Sequence, residues 1–327
     1  MKVVSIGGGT GLSALLRGLK HHGHERTRPA RFKPAISRLT AVVTVTDEGG
    51  SSGRLRDEFG ILPPGDIRNC LVALAEDEEL FTRVFSYRFS NGRGLRGHSL
   101  GNLLLTALTH LTRDFARAVQ VSSEVLAIRG EIYPSTLADV RLSARLRDGR
   151  AIAGESRITK TRVPIERLQI VPSHCRPLPE TLAAICEADL ITIGPGSLYT
   201  SLIPNLLVHG IPETIALSRA RKVYICNLMT QPGETSHYTA ADHLRALNEH
   251  AGSRLFDHII VNLRPLSPSL KRKYASQRAE PVANDLGKIR AMGVKPILAK
   301  LLAEDRVARH DPRKLAKLVL DLVHRQG

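Results

Sequence analysis

Tryptophan is absent from the 327 residues, and aromatic residues of every kind make up only 4%. Binding of single-stranded nucleic acid relies on aromatic platforms for base stacking, so that class is disfavoured. No helix-turn-helix, zinc or RNA-binding signature is present either, and nucleic acid is not an expected partner. Cysteine is scarce: Cys70, Cys175, Cys186 and Cys226 lie at wide intervals, with no CxxC pair and no His–Cys cluster. That spacing supports no zinc site and reads as four buried thiols in a reducing compartment. No apolar run approaches the ~18 residues a membrane span requires. The opening MKVVSIGGGTG holds one short apolar run and no secretory cleavage signature. The expectation is a soluble chain of the cytoplasm. Acids are outnumbered, 31 against 47 Lys and Arg, which leaves a net charge of +16. Such a field attracts polyanions and phosphorylated metabolites without selecting among them.

With 42% hydrophobic residues the chain can fill a packed core, and the expectation is one domain over residues 1–327. Lys2 to Ile6 reads as a buried strand running into GGGTG, after which Leu12, Leu15, Leu16 and Leu19 recur at helical spacing. Residues 20–38 are basic and proline-bearing, and read as a surface insertion. Leu39–Val45, Leu190–Ile193, Val223–Cys226 and Ile259–Val261 read as further strands. One helix carries Ile67, Cys70, Leu71 and Leu74; another starts after GHSLGN with Leu103, Leu104, Leu108 and Leu111 as its apolar stripe. Asp311-Pro312 supplies a cap and a first-turn proline for the last helix. Between residues 124 and 171 the period falls to two, with a hairpin turn at Asp148-Gly149, so this segment reads as a small antiparallel insert. The fold class is α/β, a modified Rossmann-like architecture with a mostly parallel sheet and ligands at the strands' carboxyl ends.

Chemistry concentrates where strands end. Gly7-Gly8-Gly9-Thr10-Gly11 lets backbone amides approach a phosphate at a helix start. Leu12 stands where the dinucleotide fingerprint needs glycine, which disfavours a standard NAD site. After the second strand, Asp47 is placed to accept a hydroxyl or hold a divalent ion, followed by Gly50, Ser51, Ser52 and Arg54. Pro63-Pro64-Gly65 then opens a helix whose first turn carries Asp66, Arg68 and Asn69. Gly97-His98-Ser99-Leu100-Gly101 has the spacing of a hydrolase nucleophile elbow but lacks the strand before it. His98, Ser99 and Asn102 therefore read as hydrogen-bonding groups at a helix start. Gly194-Pro195-Gly196-Ser197, with Thr200 and Ser201, is a second anion nest after a strand. Asn227, Thr230 and Glu234 follow a further strand and suit a sugar or base.

Taken in order, GGGTGLS, DEGGSSGRLRDEFGILPPGDIRNCLVAL, GHSLGN, ADLITIGPGSLYTSLIPNLLV and KVYICNLMTQPGETSHYTAADHL resemble the signature blocks of the gluconeogenesis-factor family, also called YvcK-like or CofD-like. The resemblance covers nearly the whole chain. It implies a modified Rossmann-type fold, a cytoplasmic location, binding of nucleotide sugars of the UDP-N-acetylglucosamine type, and a role in cell shape and wall synthesis during gluconeogenic growth. A more distant branch, 2-phospho-L-lactate transferase, moves a phospholactyl group from a nucleotide diphosphate carrier to a deazaflavin alcohol. Matching motifs place Asp47 where that branch has a substrate- or metal-binding aspartate. Arg309-His310 resembles a basic pair suited to a diphosphate. Glu48 stands where the family usually shows a second aspartate, and the 20–38 insertion exceeds the usual length.

Two functional expectations follow. In the first, a nucleotide-sugar-binding regulator holds a diphosphate on Gly7 to Gly11 and Gly194 to Ser197. Asp47 and Asp66 then hold ribose or a divalent ion, and Arg309 adds charge. In the second, a transferase uses Asp47 or Asp66 through Mg²⁺. A homo-oligomer is compatible with both.

Overall fold

The computed structural model describes residues 1–23 and 35–324. Residues 24–34, the middle of the expected basic insertion, therefore lie outside the described residues. Twelve strands form among the described residues: β1 (Lys2–Gly7), β2 (Arg38–Val43), β3 (Glu131–Pro134), β4 (Arg141–Leu146), β5 (Ala151–Ala153), β6 (Ile165–Val171), β7 (Leu190–Ile193), β8 (Arg221–Ile225), β9 (His258–Asn262), β10 (Lys295–Ala299), β11 (Leu302–Glu304) and β12 (Ala308–His310).

Seven of these make one parallel sheet in the order β10-β9-β8-β7-β1-β2-β3. The central strands are apolar without alternation because helices cover both faces; β7, Leu-Ile-Thr-Ile, is buried at every position. Helix Gly9–Leu19 turns Leu12, Leu15, Leu16 and Leu19 inward, each contributing roughly 1.5–3 kcal/mol by its burial. It packs against helices Gly65–Leu74 and Pro312–His324. Gly18 permits the second contact, since a Cβ there would overlap the Pro312 carbonyl. The expected cap is present: Asp311 Oδ1 accepts from the N–H groups of Arg313 and Lys314, both at 3.1 Å.

The antiparallel segment is shorter than its sequence pattern suggests. Residues 115–125 are helical, and β3 joins the large sheet beside β2. An edge strand of a parallel sheet has one covered face and so alternates just as a hairpin strand does. The antiparallel sheet proper is β5-β4-β6, turning at Gly149, where φ is +85°. Two of its arginines are tied down: Arg141 donates to Asp57 at 2.8 Å and Arg145 to Glu166 at 3.0 Å. Buried Arg56 pairs with Asp139 and donates to the Val140 carbonyl at 2.7 Å, which anchors the root of this sheet.

Two other expectations are corrected. All four cysteines are free, and Cys186, at a helix end, is exposed rather than buried. In helix Leu100–Thr112 the buried residues are Gly101, Asn102, Leu105 and Thr106; of the predicted stripe, Leu103, Leu104 and Leu108 are half-buried, Leu104 against the core, and Leu111 is exposed. Polar anchoring at the amino end sets that rotation: Arg68 donates to Ser99 Oγ at 2.6 Å and to Asn102 Oδ1 at 3.1 Å.

Candidate functional site

From β1 the sheet grows outward through β2 and β3 on one side and through β7, β8, β9 and β10 on the other. The crevice above the carboxyl ends of β1 and β7 is therefore the topological switch point, where open α/β sheets bind ligands. Both glycine corners sit there. At the first, β1 feeds Gly7-Gly8-Gly9 into helix Gly9–Leu19, and Gly9 has φ +63°. The first-turn amides of Thr10 and Gly11 have no carbonyl to meet within the helix. At the second, β7 feeds Gly194 to Ser197 into a π-helical turn, Leu198–Leu202, and the four-residue helix Ile203–Leu206. Pro204 has no N–H to return to the Thr200 carbonyl, so the turn is widened there. A full helix with its macrodipole is thus present at the first corner only.

The corners touch. A side chain at Gly11 would overlap the Pro195 carbonyl, and a Cβ on Gly196 would lie 3.4 Å from the Gly8 carbonyl oxygen. Between them opens a cleft of two lobes that share Gly9, Thr10, Ser197, Ser201, Gln231 and Pro232. One lobe, about 400 Å³, extends past Asn227 and Met229 to Tyr274, Gln277 and Arg309. Arg309 is exposed at its rim on β12. The other lobe, about 450 Å³, is walled by Asp47, Asp66, Glu155, Thr159, Thr200 and Glu234.

Some amides of the second corner are already engaged. Gly196 N–H donates to Asn227 Oδ1 at 3.3 Å, and Tyr199 N–H to Glu234 Oε2 at 3.4 Å. Gln231 Nε2 donates to Ser197 Oγ at 2.8 Å. These bonds hold the loop after β8 against the corner.

The carboxylate lobe has unusual electrostatics. Burial, with the neighbouring Asp47 charge, pushes Asp66 up to about 7, although the Gly9 N–H and Arg68 draw it down. Burial pushes Glu234 up to about 7 as well. Glu155 is raised by burial and then by Asp47. Asp66 is not the cap of its own helix, whose N-cap is Pro64; its carboxylate instead reaches across to the first glycine corner. Had Gly8 a Cβ, it would lie 2.6 Å from Asp66 Oδ2.

Glu48 turns away from this lobe. Its Oε2 accepts from Glu155 N–H at 3.0 Å, and Glu48 N–H donates to Glu155 Oε2 at 2.8 Å. Arg141 lies 3.5 Å from its other oxygen. The longer acid is a clamp that holds the antiparallel sheet, and Glu155 with it, over the cleft. Among the described residues no group of three or more His, Cys, Asp or Glu is arranged to hold a metal ion. Asp47 and Asp66 alone fit what Mg²⁺ takes from protein when phosphate and water complete its shell.

Other predicted residues are drawn together elsewhere. Ser51 Oγ meets His98 Nδ1 at 2.9 Å, and Asn102 Nδ2 donates to Ser51 at 3.1 Å and to Ser52 at 3.5 Å. Asn69 accepts from Arg68 at 2.8 Å. This buried network stands behind the cleft wall, with Ser99 at a helix cap rather than on a nucleophile elbow. Gly50 and Arg54 are exposed, and Arg54 donates to the Arg96 carbonyl at 2.8 Å. None of these eight lines either lobe. Sequence reasoning missed Glu155, Thr159, Gln231, Tyr274 and Gln277. Gln231 lay within an identified loop; the other four carry no local signal.

The strand order and the glycine corner at the switch point define a Rossmann-type α/β protein. No helix among the described residues is long and apolar enough to cross a membrane. The chain belongs to the CofD family: the family model described as 2-phospho-L-lactate transferase CofD matches residues 3–302. A gluconeogenesis factor from Bacillus subtilis is 50% identical over 98% of this chain and 98% of its own. A relative from Nostoc sp. is 53% identical over 98% of this chain and 68% of its own. A crystal structure of a Bacillus halodurans protein of the UPF0052 family superimposes with a TM-score of 0.90. It shares 50% identity and covers 97% of this chain and 98% of that one.

Proposed function

We propose that this chain is a gluconeogenesis factor that binds a nucleotide-linked sugar of the UDP-N-acetylglucosamine type in the switch-point cleft. In this reading it acts in the cytoplasm as a regulator, linking the level of that ligand to cell shape and wall synthesis during gluconeogenic growth. The designation of the Bacillus subtilis relative supports the first part. The observation that carries the binding mode is the meeting of the two glycine corners in one cleft with lobes of opposite character. The diphosphate lies on the amides of Thr10 and Gly11, with Ser197 and Ser201 beside it. The nucleoside extends toward Asn227 and Arg309, and the sugar toward Asp47, Asp66 and Glu155, whose carboxyl groups take hydroxyl hydrogen bonds. Such contacts support micromolar affinity, about −8 kcal/mol.

Calorimetric titration with UDP-N-acetylglucosamine tests the reading; a folded protein that gives no heat at millimolar ligand refutes it. The same titration with a UDP-linked uronic acid checks the orientation. A sugar bearing its own carboxylate meets like charge in the lobe and should bind at least tenfold more weakly.

One observation favours a second reading, a transferase of substituted phosphate groups: Asp47 and Asp66 line one lobe beside the corner, near enough for the Asp47 charge to act on Asp66. With Mg²⁺ bound by these two, charge on the phosphates would be neutralised, and the lobe would position an acceptor alcohol. Incubating UDP- and GDP-linked donors with Mg²⁺ and a metabolite extract, then searching for a new phosphodiester, separates the two readings.

A further inference from the structure

Beyond the nucleoside lobe lies a further cavity, of about 260 Å³, over the carboxyl ends of β8 and β9. Asn227 and Leu228 line both spaces, so the two meet there. Leu228, Leu266, Pro281 and Val282 give the cavity apolar walls. Val282 N–H donates to the Leu228 carbonyl at 3.1 Å and Thr230 N–H to the Glu280 carbonyl at 2.8 Å, which ties two of the lining segments into one wall. The polar groups are few, and their own partners fix what each can still do. Asn262 is fully used: its Oδ1 accepts from the N–H groups of Arg264, Leu301 and Leu302 at 3.2, 3.0 and 3.2 Å, and its Nδ2 donates to the Arg264 carbonyl at 2.6 Å. Asn284 Nδ2 donates to the Asn262 carbonyl at 2.9 Å. A carbonyl only accepts, so that bond sets the amide's orientation and leaves Asn284 Oδ1 as an acceptor with no partner among the described residues. Asn227 is the converse: its Oδ1 takes the Gly196 N–H at 3.3 Å, and its Nδ2 remains a donor. Lys271, exposed on helix Pro268–Ser276, adds an ammonium, and Arg264 spends one arm on the Leu302 carbonyl at 3.1 Å. None of the described residues lining the cavity is acidic.

A small space with apolar walls, several donors and one acceptor is the complement of a flat heterocycle whose edge is rich in carbonyl oxygen. We propose, resting on the nucleotide-sugar reading, that this cavity receives the ligand's nucleobase and selects uracil over adenine. With the diphosphate on Thr10 and Gly11, the ribose spans the nucleoside lobe and the base passes Asn227 into the cavity. Uracil presents two carbonyl oxygens and one N–H. Lys271 and Asn227 donate to the oxygens, and Asn284 Oδ1 accepts from the N–H. Adenine has no carbonyl, and its amino group turned toward Lys271 and Arg264 sets donor against donor. Polar groups left unpaired in a closed site cost affinity, so the wrong base is rejected as well as the right one held.

Competition calorimetry on the full chain against bound UDP-N-acetylglucosamine tests this. UDP should compete at least tenfold more strongly than ADP. Leu266→Trp, which fills the cavity, should weaken UDP at least tenfold and leave inorganic pyrophosphate, a probe of the glycine corner alone, unchanged. Lys271→Met, at an exposed position that folding does not depend on, should narrow the ratio of UDP to ADP affinity at least threefold. If UDP-N-acetylglucosamine itself fails to bind, the nucleotide-sugar reading falls and the base site falls with it. If it binds but ADP competes as well as UDP, or both variants keep the parent's affinities, the base lies elsewhere and only the base site is overturned.

Discussion

Gly11 carries more of the architecture than its size suggests, because the Pro195 carbonyl occupies the place of its missing side chain. Gly11→Ala should force the two corners apart. It is expected to cost about 1–3 kcal/mol of stability by overpacking and to abolish the nucleotide-sugar binding proposed above, as read by denaturant unfolding and calorimetry on the same sample. Asp66 makes a different prediction. Its carboxyl ionises at about 7 in the folded protein against 3.8 ordinarily, so the folded form keeps a proton that the unfolded chain has released. The stability associated with that proton is fully present below about pH 4 and is lost as pH rises through about 7. Asp66→Asn removes the titration. Its melting temperature should match the parent near pH 4 and exceed it by a few degrees at pH 8. Unbuffered by metal, ligand affinity should fall as pH rises through 7, because a second charge then forms beside the diphosphate, and the variant's fall should be shallower, since Glu234 and Glu155 still titrate in the same lobe.

Among the elements, the antiparallel sheet matters most for the site. Nothing local in Gly154-Glu155-Ser156 marks a functional group, yet the reciprocal bonds from the N–H of each of Glu48 and Glu155 to the other's carboxylate bring Glu155 and Thr159 into the cleft. Glu48→Ala deletes one side of that clamp and its contact with Arg141. Hydrogen exchange at residues 155–161 should accelerate about ten- to a hundredfold, in line with the loss of one or two hydrogen bonds, while β1 and β7 stay protected. Equal acceleration in β1 would mean that the clamp supports the whole fold rather than this element. Helix Leu100–Thr112 shows how a correct element can be wrongly oriented. Its leucines at 103, 104, 108 and 111 mark a helix, but polar Asn102 decides which side is buried through its bonds to Arg68 and Ser51.

For the whole molecule, the excess of basic residues acts at a distance. With a net charge of +16, association with an anionic ligand should be steered, and its rate should fall as salt shortens the screening length from about 30 Å at 0.01 M to 10 Å at 0.1 M. Stopped-flow measurement at several salt concentrations checks this; a rate independent of salt would confine the charge to solubility. At this scale the sheet was largely legible. The five strands read from apolar runs all occur, because strands buried on both faces must be continuously hydrophobic. β10, half-covered at the edge and containing Pro296, left no such run.

The chain's own residues determined the parallel α/β class, the glycine corner at the end of β1 and the placement of Asp47 beyond β2. Each of these is a local matter of hydrophobic period and backbone freedom. Only the tertiary structure decided that both glycine corners share one cleft, that Glu48 serves as a clamp, and that Ser51, His98 and Asn102 bond to one another behind the wall. Those outcomes depend on which distant segments the strand order brings side by side. Desolvation of the carboxylates depends on the same packing, since burial is a property of neighbours and not of spacing along the chain.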